Sequence, residues 1–415
     1  MIAADATQTT PGDWRYIAEG GASFVVAYIG SGHDAFKGKV LRLRKGTQQL
    51  SSLTTFPEST SSDKTVAGDV EEPGIVFQRK VTSRLVPDTF LPELGIARVD
   101  TRWLESLSAY LEPSRPASRR EKDGIDLYQT KGVIETNLVS GDGLVVEIKP
   151  KWGFLPSPTH LSPETKEIKT RHCRFCIHAH YKLLQGEVVA EGFCPLDLYS
   201  GERERVERAL DNLWKTWSTA EDGNIHNMRV FLDGEVVEAR DPQKVKRVYD
   251  WLTANHPGVD AEHIFKEKVA ERLSQSSILQ ILSRLQRTLD PLDIEGLATL
   301  TDRATLQFEL SEVSLDDWVD FSSQYLTEAS SYDHTRPDIS NIRYYRLAYI
   351  LSASFKDCSV IIKLNDVPHH AVTVIDLEPK SPKKLKKWEE LDRTIVKAFD
   401  GVERTPCADA LAGKD

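Results

Sequence analysis

The run Leu144–Ile148, LVVEI, followed by Lys-Pro-Lys-Trp-Gly-Phe-Leu-Pro over 149–156, is the most constraining segment of the chain. Its β-branched, almost continuous apolar character fits a strand covered on both faces rather than one lying at the surface. Pro150 cannot donate to a ladder, so the strand ends there or runs at an edge. Lys149 and Lys151 project to one face, because side chains alternate along extended backbone. Two ammonium groups so placed repel unless an anion lies between them, and the apolar neighbours Val145, Val146, Trp152 and Phe154 argue against a freely solvated pair.

The rest of the chain organises around this strand. Ala18-Glu19-Gly20-Gly21-Ala22-Ser23 leads into a β-branched run at 24–29, a Gly-Ser-Gly turn and a second run at 40–43 that carries Arg42, which predicts a glycine-rich hairpin. Two adjacent glycines are commonly a plain turn. Arg42 on the next strand makes a phosphate-covering role the sharper alternative. The stretch 46–74 is rich in Ser and Thr, acidic toward its end and poor in large apolar groups, so it is expected to be a mobile insertion. Helical patterns fall at 76–85, 103–111, 174–184, 202–217, through 245–307, at 342–352 and at 383–399. Strands are predicted at 132–134, 227–232, 359–364 and 372–377. The polar link Glu135-Thr136-Asn137 separates the halves, giving a two-lobed α/β or α+β chain with domains 1–137 and 138–415.

Three further constellations bear on chemistry. On a helix over 174–184, Arg174, His178 and Lys182 stack at i, i+4 and i+8 along about 12 Å of one face, which is unfavourable unless an anion is bound. Asn227 and Arg229 share a face where a strand begins. Asp357 and Asp376 lie where apolar strands begin and end, positions that suit a general base or a Mg²⁺ ligand as well as simple turn capping. Cys173 and Cys176 have CxxC spacing with His172, His178 and His180 nearby. No second CxxC or HxxxH pair exists to complete a site, so a polyphosphate fits this stretch better than a metal.

Composition narrows the partners. The formal net charge is −10, so no global positive field favours nucleic acid or an anionic membrane, and any anion must be held by a local cluster. Five cysteines are too few and too irregular for a disulfide framework, which suits a reducing compartment. The first residues resemble no signal peptide, and no run approaches a membrane span, so a soluble intracellular protein is expected.

At this point the segments resemble one family, the inositol-pentakisphosphate 2-kinases. The resemblance rests on EGGAS with VLRLRK at 40–45, VEIKPKWGFLPSP at 146–158, RFCIHAHYK at 174–182, CPLDLYSG at 194–201, NMRVFLDG at 227–234, KDCSVII at 356–362 and VIDLEPKSPKKLKKWEELDRTIV at 374–396. It implies a distantly protein-kinase-like scaffold with a small N-lobe and a larger C-lobe that binds the inositol phosphate. It implies ATP- and Mg²⁺-dependent phosphorylation of the 2-hydroxyl of inositol 1,3,4,5,6-pentakisphosphate, by a monomer in the nucleus or cytoplasm. Carried over, Gly20, Gly21 and Arg42 meet the nucleotide phosphates, Glu147 the nucleoside and Lys149 the transferring phosphate. Lys151, Arg174, His178, Lys182, Asn227, Arg229, Lys380 and Lys384 grip substrate phosphates, Asp357 is the base and Asp376 the Mg²⁺ ligand. Plant members carry a zinc-binding Cys/His cluster; with only His334 between 300 and 350, no structural zinc is expected. Competing readings are a non-catalytic inositol-polyphosphate-binding pseudokinase and a zinc-binding interaction module built on 172–180.

Overall fold

The computed structural model describes residues 4–21, 23–46, 72–220, 227–303, 313–365 and 371–410. Most of the insertion expected at 46–74 lies outside the described residues. The chain divides into two compact units, Met1–Val76 with Pro92–Ser140, and Phe77–Leu91 with Gly141–Asp415. Each contains a sheet, and helices dominate the second, so the class is mixed α/β.

In the first unit the strands are β1 (Ala4–Asp5), β2 (Trp14–Glu19), β3 (Ser23–Tyr28), β4 (Lys39–Gly46), β5 (Leu94–Arg98), β6 (Gly124–Ile125) and β7 (Lys131–Thr136). They are ordered β1-β5-β7-β4-β3-β2, with β6 joined to the end of β4. The strands β3 and β4 form the expected hairpin; β2, which was not expected, pairs with β3 to make a meander, and the amide of Gly20 donates to the Ser23 carbonyl at 2.8 Å in the turn between them. Phe24, Val26, Leu41 and Leu43 point to one face and pack with Trp14 and with Trp103, Leu104 and Leu107 of the helix Thr101–Leu111. Asp100 starts that helix by accepting from the Trp103 amide at 2.8 Å.

A buried ionic hub ties the glycine-rich turn to the rest of this unit. The Glu19 carboxylate is clasped by Arg115 through contacts of 3.1 and 2.9 Å and also meets Lys45, with only 1 to 3% of these side chains accessible. Lys45 reaches Asp123 at 2.8 Å and the Gly20 carbonyl at 3.0 Å. Burial alone would raise the Glu19 pKa, but the hydrogen bonds from Arg115 and Lys45 outweigh it and hold the carboxyl below its usual range.

The second unit carries β8 (Leu144–Ile148), β9 (Met228–Leu232), β10 (Glu235–Val237), β11 (Ser359–Lys363) and β12 (Val372–Ile375), all antiparallel in the order β10-β9-β8-β11-β12. Every residue of β8 is buried, as its composition predicts. The helix Ile342–Phe355 packs into the core with 11 of its 14 residues buried, and Arg343 is left exposed near its start. The stretch expected to be helical over 245–307 contains Pro242–Thr253, Ala261–Ser274, Ile278–Thr288 and Asp293–Arg303. The helices Pro163–Arg171 and Leu315–Glu328 and strand β5 were not expected. PETKEIKTR has almost no apolar stripe, and its helix is instead tied in through the buried Lys169.

Replacing Arg115 with Met should destabilise the first unit by about 3 kcal/mol, because a buried carboxylate loses most of its compensation. A lower urea midpoint and faster amide exchange across 14–46 are the expected readings; an unchanged midpoint would show that the hub contributes nothing.

Candidate functional site

The two-sided ladder of β8 determines where its charged residues emerge. Ile148 is opposite Met228 on one side and Val360 on the other, and beyond it the Lys149 amide donates to the Asn227 carbonyl at 2.9 Å. Pro150 ends the pairing. Lys151 then takes φ = 60°, a left-handed conformation uncommon for a residue with a Cβ, and turns the chain sharply. Because β11 opposes β8, and β12 opposes β11 with Ser359 facing Ile375, the start of β11 and the end of β12 lie at this same edge. Asp357 precedes β11 and Asp376, at φ = 65°, follows β12.

Three strand ends therefore bring five of the sequence-predicted residues together. The Lys151 ammonium lies 2.9 Å from one oxygen of Asp357, and Lys380 lies 3.1 Å from the other. Lys149 lies 3.7 Å from Asp376. Burial would push the Asp357 carboxyl up, but Lys151, Lys380 and Lys149 together hold it well below the usual carboxylate range. The lysines predicted to repel one another are thus neutralised by carboxylates. Glu147, on β8, accepts from the Ser359 hydroxyl at 2.7 Å and lies 3.8 Å from Arg229, its cross-strand neighbour.

The helix Arg174–Leu184 supplies the cationic column. The Arg174 guanidinium lies 5.1 Å over the Trp152 ring and donates through Nε to Asp392 at 2.9 Å. Lys182 pairs with Glu187 at 3.0 Å. His178 is half-buried, and burial, with Arg174 and Lys182 on either side and Lys151 nearby, depresses its pKa to about 4. It is therefore a neutral hydrogen-bonding group near pH 7 rather than a third cation. Lys384 is exposed at the start of the helix Lys384–Ala398, and Gly20, Gly21 and Arg42 belong to the first unit. There Arg42 on β4 reaches both oxygens of Glu135 at 3.2 Å, and neither glycine uses left-handed backbone.

Sequence reasoning missed the groups that hold these residues in place. Lys356, 2% exposed, lies beneath Trp152, Phe154 and Tyr349 at 4.9 to 5.8 Å and contacts Asp290 at 2.5 Å. The aromatic residues of the KPKWGF segment thus cage the residue just before Asp357. Gln286, fully buried, accepts from the Gly153 amide at 2.7 Å and donates to the carbonyls of Lys151 at 3.0 Å and Phe355 at 2.9 Å. One side chain stitches the turn carrying Lys151 to the turn carrying Asp357. Behind Arg174, Asp392 is shared with Lys169, which also meets Asp293. The available signal for Gln286 was a polar residue on the otherwise apolar stripe of the helix Ile278–Thr288; Lys356 and Lys169 resemble ordinary surface lysines in sequence.

The expectation of no structural zinc is corrected by the structure. Four thiols, Cys173, Cys176, Cys194 and Cys407, converge with all sulfurs within 4.8 Å of one another, and the histidines at 172, 178 and 180 are not part of the group. His172 and His180 pack instead on Phe399 at 4.9 and 5.3 Å. The CxxC pair completes its set with two isolated cysteines from distant segments, which no spacing rule reveals.

Gln286→Leu leaves the Gly153 amide without its acceptor in the interior and takes one donor away from the carbonyls of Lys151 and Phe355. A loss on the order of 3 kcal/mol is expected, with faster amide exchange at 151–154, since each orphaned group costs about 1–3 kcal/mol. Unchanged exchange there would show that Gln286 does not position the turn.

The sequence profile of the family described as inositol-pentakisphosphate 2-kinase matches residues 16–394. The inositol-pentakisphosphate 2-kinase of Cryptococcus neoformans is 32% identical over 422 residues, with 94% of each chain aligned. The enzyme of that name from Arabidopsis thaliana is 26% identical over 448 residues, covering 94% of this chain and 93% of its own. That from Danio rerio is 30% identical over 235 residues, 54% of this chain and 44% of its own. With the match running from the glycine-rich meander to the final helix, the chain belongs to the inositol-pentakisphosphate 2-kinase family.

Proposed function

We propose that the protein transfers the γ-phosphate of ATP to the 2-hydroxyl of inositol 1,3,4,5,6-pentakisphosphate, yielding inositol hexakisphosphate. The observation that carries this reading beyond family membership is the Asp357 carboxylate held between Lys151 and Lys380, beside Lys149 and Asp376. A carboxylate so placed is ionised at neutral pH and can accept the proton of an attacking hydroxyl. The substrate carries on the order of eight to ten negative charges, which suits a local concentration of cations in a chain of net charge −10.

In this reading Lys149 orients and neutralises the transferring phosphate. Lys151, Arg174, Lys182, Asn227, Arg229, Lys380 and Lys384 hold the substrate phosphates, and neutral His178 donates an N–H to one of them. Asp357 takes the hydroxyl proton. Gly20, Gly21 and Arg42 of the first unit and Glu147 of the second contact the nucleotide. Asp376 offers a half-exposed carboxylate oxygen, the donor type Mg²⁺ prefers, and the bound metal supplies charge neutralisation on the phosphates. The fold is read as distantly protein-kinase-like, with 1–137 as the smaller lobe, and the protein as a monomer acting inside the cell.

Incubation with ATP, Mg²⁺ and a panel of inositol phosphates, resolved by anion exchange, tests the activity. Conversion of the pentakisphosphate to hexakisphosphate is expected; tight binding without turnover would instead make the protein a pseudokinase. Asp357→Asn should lower turnover about 100-fold or more. Substrate affinity should hold or improve, because Lys151 and Lys380 are released to the phosphates; normal turnover would remove Asp357 as the base. Asp376→Asn should raise the Mg²⁺ concentration needed for half-maximal rate, and an unchanged metal titration would exclude it as a ligand.

A further inference from the structure

We propose that Cys173, Cys176, Cys194 and Cys407 bind one zinc ion, and that this ion fastens the C-terminal segment 400–410 to the start of the helix Arg174–Leu184. Tetrahedral coordination with Zn–S bonds of about 2.3 Å sets neighbouring sulfurs about 3.8 Å apart. The sulfurs of Cys173 and Cys194 are 3.9 Å apart, and all four fall within 4.8 Å of one another. All four cysteines are free, at a spacing far from the bonding distance of about 2.05 Å that a disulfide requires. Buried cysteines often serve merely as small apolar residues. Here, however, thiols from three separate segments meet at one point, which packing alone does not require.

The surroundings suit a closed structural site. Cys173 is the N-cap of the helix Arg174–Leu184 and its side chain makes no capping hydrogen bond, while Cys176 lies in the first turn, where the helix dipole favours thiolates. Leu155, Phe175 and Leu196 pack around the sulfurs, with Cys173 and Cys176 buried and Cys194 and Cys407 partly buried. All four positions are protein thiols, so no coordination site remains for a reacting water, in contrast to a catalytic zinc. On binding, four S–H bonds give way to four Zn–S bonds and the protons leave to solvent, with no change of oxidation state.

The C-terminal segment has no helix or strand of its own before residue 410. It is laid down by the Cys407 amide on the Arg171 carbonyl at 2.8 Å, by Arg205 on the Ala408 carbonyl at 2.5 Å, and by Asp409 on the Leu155 amide at 2.9 Å and on Arg287 at 3.0 Å. Zinc would convert these few contacts into a cross-link between the segment and the residue before Arg174. This positional consequence rests on the proposed function only through Arg174; occupancy of the site does not.

Metal analysis of the full-length protein purified without chelator should give about one zinc per chain. A thiol-blocking mercurial should release it, as read by a colorimetric zinc indicator. Cys407→Ser should lose most of the zinc and become cleavable by protease within 400–410, whereas Cys358→Ser, outside the cluster, should retain one equivalent. No metal, iron in place of zinc, two disulfides by mass spectrometry, or full zinc in Cys407→Ser would each overturn the proposal. Zinc content is read without any assay of phosphoryl transfer, so failure here and failure of the proposed activity are distinguishable.

Discussion

The position of β8 between β9 and β11 is the constraint on which the site depends. A strand paired on both edges and buried on both faces cannot slip by one residue without turning its apolar side chains over. Its register therefore fixes Glu147 and Lys149, and the turn after Pro150 sets Lys151 just beyond them. Antiparallel pairing then delivers the start of β11 and the end of β12 to the same edge, which is why Asp357 and Asp376, far from β8 in sequence, meet its lysines. Helices pack around this sheet, but the order of charges along its edge is set by strand pairing.

Two grades of ion pair surround that edge, with different physical roles. Lys356 with Asp290, and Lys169 with Asp392, are almost fully buried, so breaking either would leave a charge stranded in the interior. Those pairs act as fixed supports. Asp357 and Asp376 are close to half-exposed, and their lysines about one-fifth exposed. In such surroundings a single ion pair is worth far less than its separation suggests, and a polyanion can draw the lysines away without a large penalty. The same exchange strengthens Asp357 as a base: as Lys151 and Lys380 turn to phosphate oxygens, the positive charge holding its proton affinity down is offset by negative charge nearby.

Legibility from sequence followed how locally each feature is specified. β8 and the helix Arg174–Leu184 were readable at their observed bounds, because each carries its periodicity within its own residues. Strand β5, five residues with a glycine, carries too little pattern of its own. The pairing of Lys151 with Asp357 depends on strand order, which periodicity does not encode. Lys356, Lys169 and Gln286 were invisible for a further reason: a buried polar residue is marked by its partners, and those partners lie 66 residues or more away along the chain. The cysteine group failed in the same way, since Cys194 and Cys407 each look like a lone thiol until the fold brings them to the CxxC pair.

Backbone strain falls where this arrangement demands it. Among the described residues, four that are not glycine have positive φ, and two of them are Lys151 and Asp376. Asp233 occupies a tight Asp-Gly hairpin turn and Asp293 opens a helix beside Lys169, both positions where a short polar side chain tolerates the left-handed region. Lys151 has no such local excuse, and holding it there costs on the order of 1–3 kcal/mol unless its surroundings over-determine it. They do: its carbonyl is gripped by Gln286 and Tyr199, and its ammonium by Asp357. Glycine would relieve the backbone but abandon the charge. With lysine at this turn, the strained backbone delivers the ammonium from this angle to the end of the sheet, where Asp357 meets it.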